Sequence, residues 1–82
     1  MSRVIRDIVM PDLAMPEIEA TVSVWLIRLG SKVTSGDRLV EILAGEVTID
    51  LSAPVTGVFI EKCVAEDDPV RPGQVLGRVE AR

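Results

Sequence analysis

The chain has no histidine, no tyrosine and a single cysteine among its 82 residues. Without histidine there is no imidazole base, no histidine metal ligand, and no serine- or cysteine-type triad that relies on one. Cys63, standing alone, can close no internal disulfide and build no thiolate zinc site. Trp25 and Phe59 are the whole aromatic complement, which leaves no stacking platform for single-stranded nucleic acid. Nine Lys and Arg stand against thirteen Asp and Glu, a formal charge of −4. That balance repels phosphate backbones, so nucleic acid is not expected as a partner. Lysine is scarce as well, with only Lys32 and Lys62. The stretch from Val4 to Leu13 is broken by Arg6, Asp7, Pro11 and Asp12, and so fits neither a secretory h-region nor a membrane span. The expectation is a soluble, cytoplasmic protein with no membrane partner. The lone thiol fits a reducing compartment.

Hydrophobic residues make up 48% of the chain and charged ones 27%, too apolar for disorder. Eighty-two residues suffice for one domain, 1–82, and for one core. Apolar runs occur at Val4–Met10, Thr21–Leu29, Arg38–Leu43, Val47–Leu51, Gly57–Val64 and Val75–Val79. They are rich in Val, Ile and Leu and are separated by Pro11-Asp12, Gly30-Ser31, Gly36-Asp37, Ala44-Gly45, Ala53-Pro54, Asp68-Pro69 and Pro72-Gly73. Turn signals about ten residues apart are the spacing of a small all-β sandwich or barrel. No eleven-residue window keeps a helical apolar period free of Gly or Pro, so helix content should be close to nil. In Val47-Thr48-Ile49-Asp50-Leu51 the aliphatic side chains alternate with polar ones, as in a half-buried strand.

A repeat organises these runs. Val33, Gly36 and Leu39 stand 37 residues before Val70, Gly73 and Leu76, each set reading valine, two residues, glycine, two residues, leucine. Half-repeats of about 5–43 and 47–80 follow, related by a pseudo-twofold axis and joined at Ala44-Gly45-Glu46. Neither half can cover its apolar face alone, so each must pack on the other.

Pro11-Asp12-Leu13, Glu19-Ala20-Thr21-Val22, Trp25-Leu26, Gly30, Val33, Gly36-Asp37 and Leu39, followed by Val47–Leu51, Ala53-Pro54-Val55, Gly57, Val70, Pro72-Gly73 and Leu76, resemble in order and spacing the lipoyl domains of 2-oxo acid dehydrogenase acyltransferases. The resemblance implies a flattened barrel of two four-stranded antiparallel sheets with pseudo-twofold symmetry. It places both termini at one end and an exposed hairpin at the other. In that family the hairpin presents a lysine whose amine carries lipoate or, in related domains, biotin. The domain is then a non-catalytic carrier, a swinging-arm module served by the other components of a 2-oxo acid dehydrogenase complex.

Counting back from Val47–Pro54, the acceptor lysine should stand at 46 and its preceding Asp at 45, but the residues are Glu46 and Gly45. Ala14 also replaces a usual glycine, and Leu43-Ala44 a Glu-Thr pair. Amide formation needs an amine nucleophile, which a carboxylate cannot supply. Gly45, Glu46 and Val47 therefore mark an attachment position expected to stay unmodified, with no cofactor on this chain. An alternative is a degenerate, unmodified module that binds protein or serves structure. Leu13, Met15 and Ile18, in the proline-flanked loop Met10–Glu19 bracketed by Met10, Met15 and Pro16, are its candidate partner contacts. At Glu46 itself a recognition group and a freely varying tip both remain open. Cys63, in a strand-like run, is expected to be a small buried hydrophobe, with Lys62 on the opposite face. Trp25 is expected in the core, and Glu66-Asp67-Asp68 as a solvated turn. No catalytic constellation is present, and a sandwich of this size should lack room for a deep pocket of the usual ligand size.

Overall fold

Eight strands carry the chain, and among the described residues there is no helix. The computed structural model describes residues 3–15 and 17–82. Pro16, one bracket of the first long loop, lies outside the described residues. The strands are β1 (Ile5–Val9), β2 (Ala20–Trp25), β3 (Lys32–Val33), β4 (Arg38–Ala44), β5 (Val47–Ser52), β6 (Gly57–Lys62), β7 (Pro69–Val70) and β8 (Val75–Ala81). They form two antiparallel four-stranded sheets, in the orders β1-β8-β6-β3 and β5-β4-β2-β7. Each sheet takes two strands from each half-repeat, so the halves are interleaved. The six apolar runs all contain a strand. The two short strands β3 and β7, two residues each, fall outside them. The run Thr21–Leu29 is strand only as far as Trp25; beyond it Leu26 and Leu29 are exposed.

Register explains the core. A shift between Arg38 and Val40 in β4 turns both Leu39 and Val40 inward, and both are fully buried, as a β-bulge allows. Phe59 is fully buried and its ring lies 5.1 Å from that of Trp25. Burying such a side chain is worth about 1.5–3 kcal/mol, and the aromatic pair adds about 0.5–1.5 kcal/mol. The indole Nε1–H of Trp25 donates to the Val64 carbonyl at 2.9 Å, so the buried polar tip is satisfied.

The 37-residue offset recurs in the backbone. Gly30 N donates to Phe59 O at 2.8 Å, and Asp67 N to Val22 O at 2.7 Å. Phe59 N donates to Ser31 O and Val22 N to Asp68 O, both at 2.9 Å. Leu26 N donates to Leu39 O as Cys63 N does to Leu76 O. Bulges repeat too, between Val22 and Val24 and between Phe59 and Glu61. The one large departure is the β1–β2 loop, 10–19, six residues longer than its counterpart 53–56.

The Phe59/Glu61 bulge corrects the expectation for Cys63. In a regular strand Cys63 would share the inward face of Phe59. The extra residue flips the side chains beyond it, because strand alternation has period two. Cys63 is exposed, with its sulfur 3.5 Å from Arg78 Nη1. Lys62 instead lies with Nζ 5.7 Å from the Trp25 ring centroid.

Ile5 pairs with Glu80 and the Ala81 amide donates to Val4 O at 2.8 Å, which brings the described chain ends together. β1 then runs to Val9, beside Val75, where loop 10–19 departs. At this second end Ile18 packs on Gly45 of the β4–β5 connection. Chain ends and hairpin thus mark opposite ends of a body 44 Å long and about 20 Å across.

Candidate functional site

Two residues, Gly45 and Glu46, join β4 to β5 above the closing pair Ala44–Val47. Gly45 has φ +64°, the conformation a tight two-residue hairpin requires at its first central residue. A Cβ at 45 would stand 3.3 Å from Ile18 Cγ2, so the tip leans on the long loop. Glu46 is exposed, and among the described residues it enters no ion pair. Val47 beside it is 55% exposed although apolar. Its pairing row continues inward through Ala44, Ala20 and Val70.

Loop 10–19 is tied down at its start. Met10 N donates to Gln74 O at 2.9 Å and Met10 O accepts from Gly73 N at 2.8 Å, with the Met10 side chain buried. Asp12 Oδ1 accepts from Ala14 N at 2.8 Å, an Asx-type turn that places Ala14 at φ +57°. Farther on, Ile18 N donates to Met15 O at 3.1 Å. Leu13, Met15 and Ile18 are brought to one groove of about 550 Å³, also lined by Met10, Ala20 and Val70, with Asp12, Glu19 and Arg71 among its polar groups. Met15 and Ile18 are exposed, whereas Leu13 is half-buried and packs on the core. The groove is open to solvent along the exposed Met15 and Ile18 and is not a deep pocket. The Ile18–Gly45 contact and the part of Val70 and Arg71 in the groove were not anticipated. The repeat marks Val70 only as a core position.

Neither lysine lies on the hairpin. Lys32 is in β3, paired with Val58, and Lys62 closes β6; both are exposed. Trp25 lies in the core. Glu66-Asp67-Asp68 forms an exposed turn in which Asp68 Oδ2 accepts from Ala65 N at 2.8 Å. Among the described residues no three acidic or cysteine side chains are placed to share a metal ion, and no helix is long and apolar enough to cross a membrane.

Comparison with known proteins places this architecture. The Biotin_lipoyl family model, described as a biotin-requiring enzyme, matches residues 6–79. The chain belongs to the Biotin_lipoyl family. Over 75 residues it is 37% identical to the dihydrolipoyllysine-residue succinyltransferase component of the 2-oxoglutarate dehydrogenase complex of Bartonella vinsonii subsp. berkhoffii, covering 92% of this chain and 18% of that protein. It is 33% identical over 73 residues to the acetyltransferase component of the pyruvate dehydrogenase complex of Corynebacterium glutamicum, covering 89% and 11%. The chain therefore spans less than a fifth of these relatives. The lipoyl domain of the 2-oxoglutarate dehydrogenase complex from Azotobacter vinelandii, solved in solution, superposes with a TM-score of 0.70 at 28% identity, over 88% of this chain and 94% of that one. The two-sheet all-β fold is the lipoyl-domain fold. Lipoyl domains within this family are carrier modules that bear lipoate on a lysine.

Proposed function

We propose that this chain is a lipoyl-type carrier domain, of the kind found in 2-oxo acid dehydrogenase acyltransferases, that is not itself lipoylated. Glu46 occupies the position of the acceptor lysine. The observation that carries this reading is the exposed Glu46 at a two-residue hairpin tip, with both lysines elsewhere on the fold. Lipoyl transfer makes an amide from an amine and an activated acyl group. A carboxylate at 46 offers no such nucleophile, and biotin attachment needs the same amine. The residues at the tip do not fit the group. By this reading residues 1–82 form a single lipoyl-like unit whose partners are other components of a 2-oxo acid dehydrogenase complex. Gly45, Glu46 and Val47 keep the place of the attachment site. A second reading, a degenerate module that acts by binding protein, draws support from the exposed Met15 and Ile18 beside the tip.

The test is co-expression of the chain and its Glu46→Lys variant with a lipoate ligase, followed by intact-mass measurement. The expected outcome is an unmodified wild-type chain and one lipoyl group on the variant, with the hairpin still recognised. A lipoyl group on the wild-type chain would overturn the assignment. A variant left unmodified would favour the degenerate module.

A further inference from the structure

The two ends of the molecule share a backbone but not a charge. At the hairpin end Asp12, Glu17, Glu19 and Glu46 stand on or beside the groove, next to the exposed turn Glu66–Asp68; Arg71 is the base among them. None of these acids enters an ion pair among the described residues. The twofold counterpart of the 65–68 turn is the turn 28–31, closed by Ser31 N donating to Arg28 O just as Asp68 N donates to Ala65 O, both at 3.1 Å. Where the hairpin-end turn has Glu66, Asp67 and Asp68, its mate carries Leu29 between Arg28 and Lys32. All three are exposed, and Leu29 at 57% is the most exposed large hydrophobic residue described. β3, which follows this turn, pairs with Val58 and Gly57, and Gly57 with Ala81, while Gly30 and Ser31 bond to Phe59, so the basic turn lies on the half of the molecule that holds the chain termini, inward of the end itself.

We propose that copies of this chain associate head to tail, the 28–32 turn of one seating in the groove of the next. Leu29 covers the apolar surface of Met15 and Ile18, while Arg28 and Lys32 approach the Asp12, Glu19 and Glu66–Asp68 carboxylates. A second copy is the occupant because knob and groove, complementary in both polarity and charge, sit on the same molecule. They lie on opposite halves of the molecule, the knob beside Phe59 and the groove beside Ala20 and Val70, and cannot meet within one chain. The same polarity disfavours two hairpin ends meeting, since acid would face acid. An interface using two different patches is heterologous, so it propagates chains rather than closing a dimer. With patches this small the contact belongs to the weak class, below about 1,200 Å², and with exposed charges it must weaken with salt, since the Debye length shrinks from about 10 Å at 0.1 M to about 3 Å at 1 M. This inference is independent of the state of residue 46.

Sedimentation of the intact chain decides it. Over about 20 μM to 2 mM protein in about 20 mM salt, the weight-average mass should climb at least about two-fold from 8.9 kDa without levelling at a dimer. In about 0.5 M salt it should return to the monomer value. Arg28→Glu, which spoils the knob, and Glu19→Arg, which spoils the groove, should each stay monomeric; both positions are exposed, and far-UV circular dichroism checks their folding. Mixed in equal amounts they should associate again, because each retains the half the other has lost. A wild-type chain monomeric at 2 mM in low salt overturns the proposal, as does self-association with a mixture that stays monomeric.

Discussion

A carbonyl oxygen decides what Gly57 can be. A Cβ there would lie 1.8 Å from Glu80 O and 2.9 Å from Ala81 Cα of the paired strand β8. Backbone cannot yield as a flexible side chain can. Gly57→Ala should therefore destabilise by at least about 3 kcal/mol, the upper range for overpacking, read as a lower urea midpoint or an unfolded chain. Ala14 is the opposite case. Its φ of +57° costs an L-residue roughly 1–2 kcal/mol, against about 0.5–1 kcal/mol of extra chain entropy lost by glycine. Ala14→Gly should thus raise stability by about 0.5–1 kcal/mol in equilibrium urea unfolding, and a decrease would mean that the turn stores no strain. The departure at Ala14 was legible through the family resemblance, whose pattern has a glycine after Pro-Asp-Leu. Cys63 was not, because nothing in Val58-Phe59-Ile60-Glu61 announces the bulge that turns its side chain outward.

Strands long enough to alternate were legible, and the rest were not. Val47–Leu51 shows its period in the sequence, and in β5 Ile49 and Leu51 are half-buried between exposed Thr48 and Asp50. β3 and β7 hold only two residues each, too few to display a period, and are visible only through the repeated valine. The hairpin tip could be located by counting back from Val47, whereas the groove beside it depends on how loop 10–19 folds against Gly45, which has no periodic signature. β8 ends in an electrostatic clasp. Glu80 accepts from Arg3 Nε at 2.6 Å and from Arg82 Nε at 3.1 Å. These two hydrogen bonds, Arg3's first, hold its carboxyl below the usual carboxylate range. Because the folded value is the lower one, the ionised clasp stabilises the fold above the unfolded carboxylate value, about 4.3. That contribution disappears as pH falls through the folded value. Thermal melts should show wild type above Glu80→Gln at about pH 6, with the gap closing toward about pH 3. A gap constant across that window would show that the charge of Glu80 contributes nothing.

At the scale of the whole molecule, the interleaving of the halves governs how the chain can fold. The first half supplies the neighbouring pair β2 and β4 to one sheet, and the second supplies β6 and β8 to the other; each sheet is completed by edge strands from the opposite half. Phe59 of the second half stacks on Trp25 of the first, and the indole of Trp25 is satisfied by Val64 across that divide. Cut at the hairpin, each piece would expose one face of its two-strand ladder and leave Trp25 or Phe59 without its partner. Pieces this short, near the lower limit of about 40 residues for independent folding, bury too little apolar surface to offset chain entropy. Fragments 1–45 and 46–82 should therefore each give a disordered far-UV spectrum without a cooperative melt. Mixed at equal concentration, they should recover strand signal and dispersed amide resonances, because the backbone hydrogen bonds between Val22 and the 67–68 turn and between Phe59 and the 30–31 turn form only when both are present. A fragment that melts cooperatively on its own would contradict this, since the interleaved sheets require the core to be a joint product of both repeats.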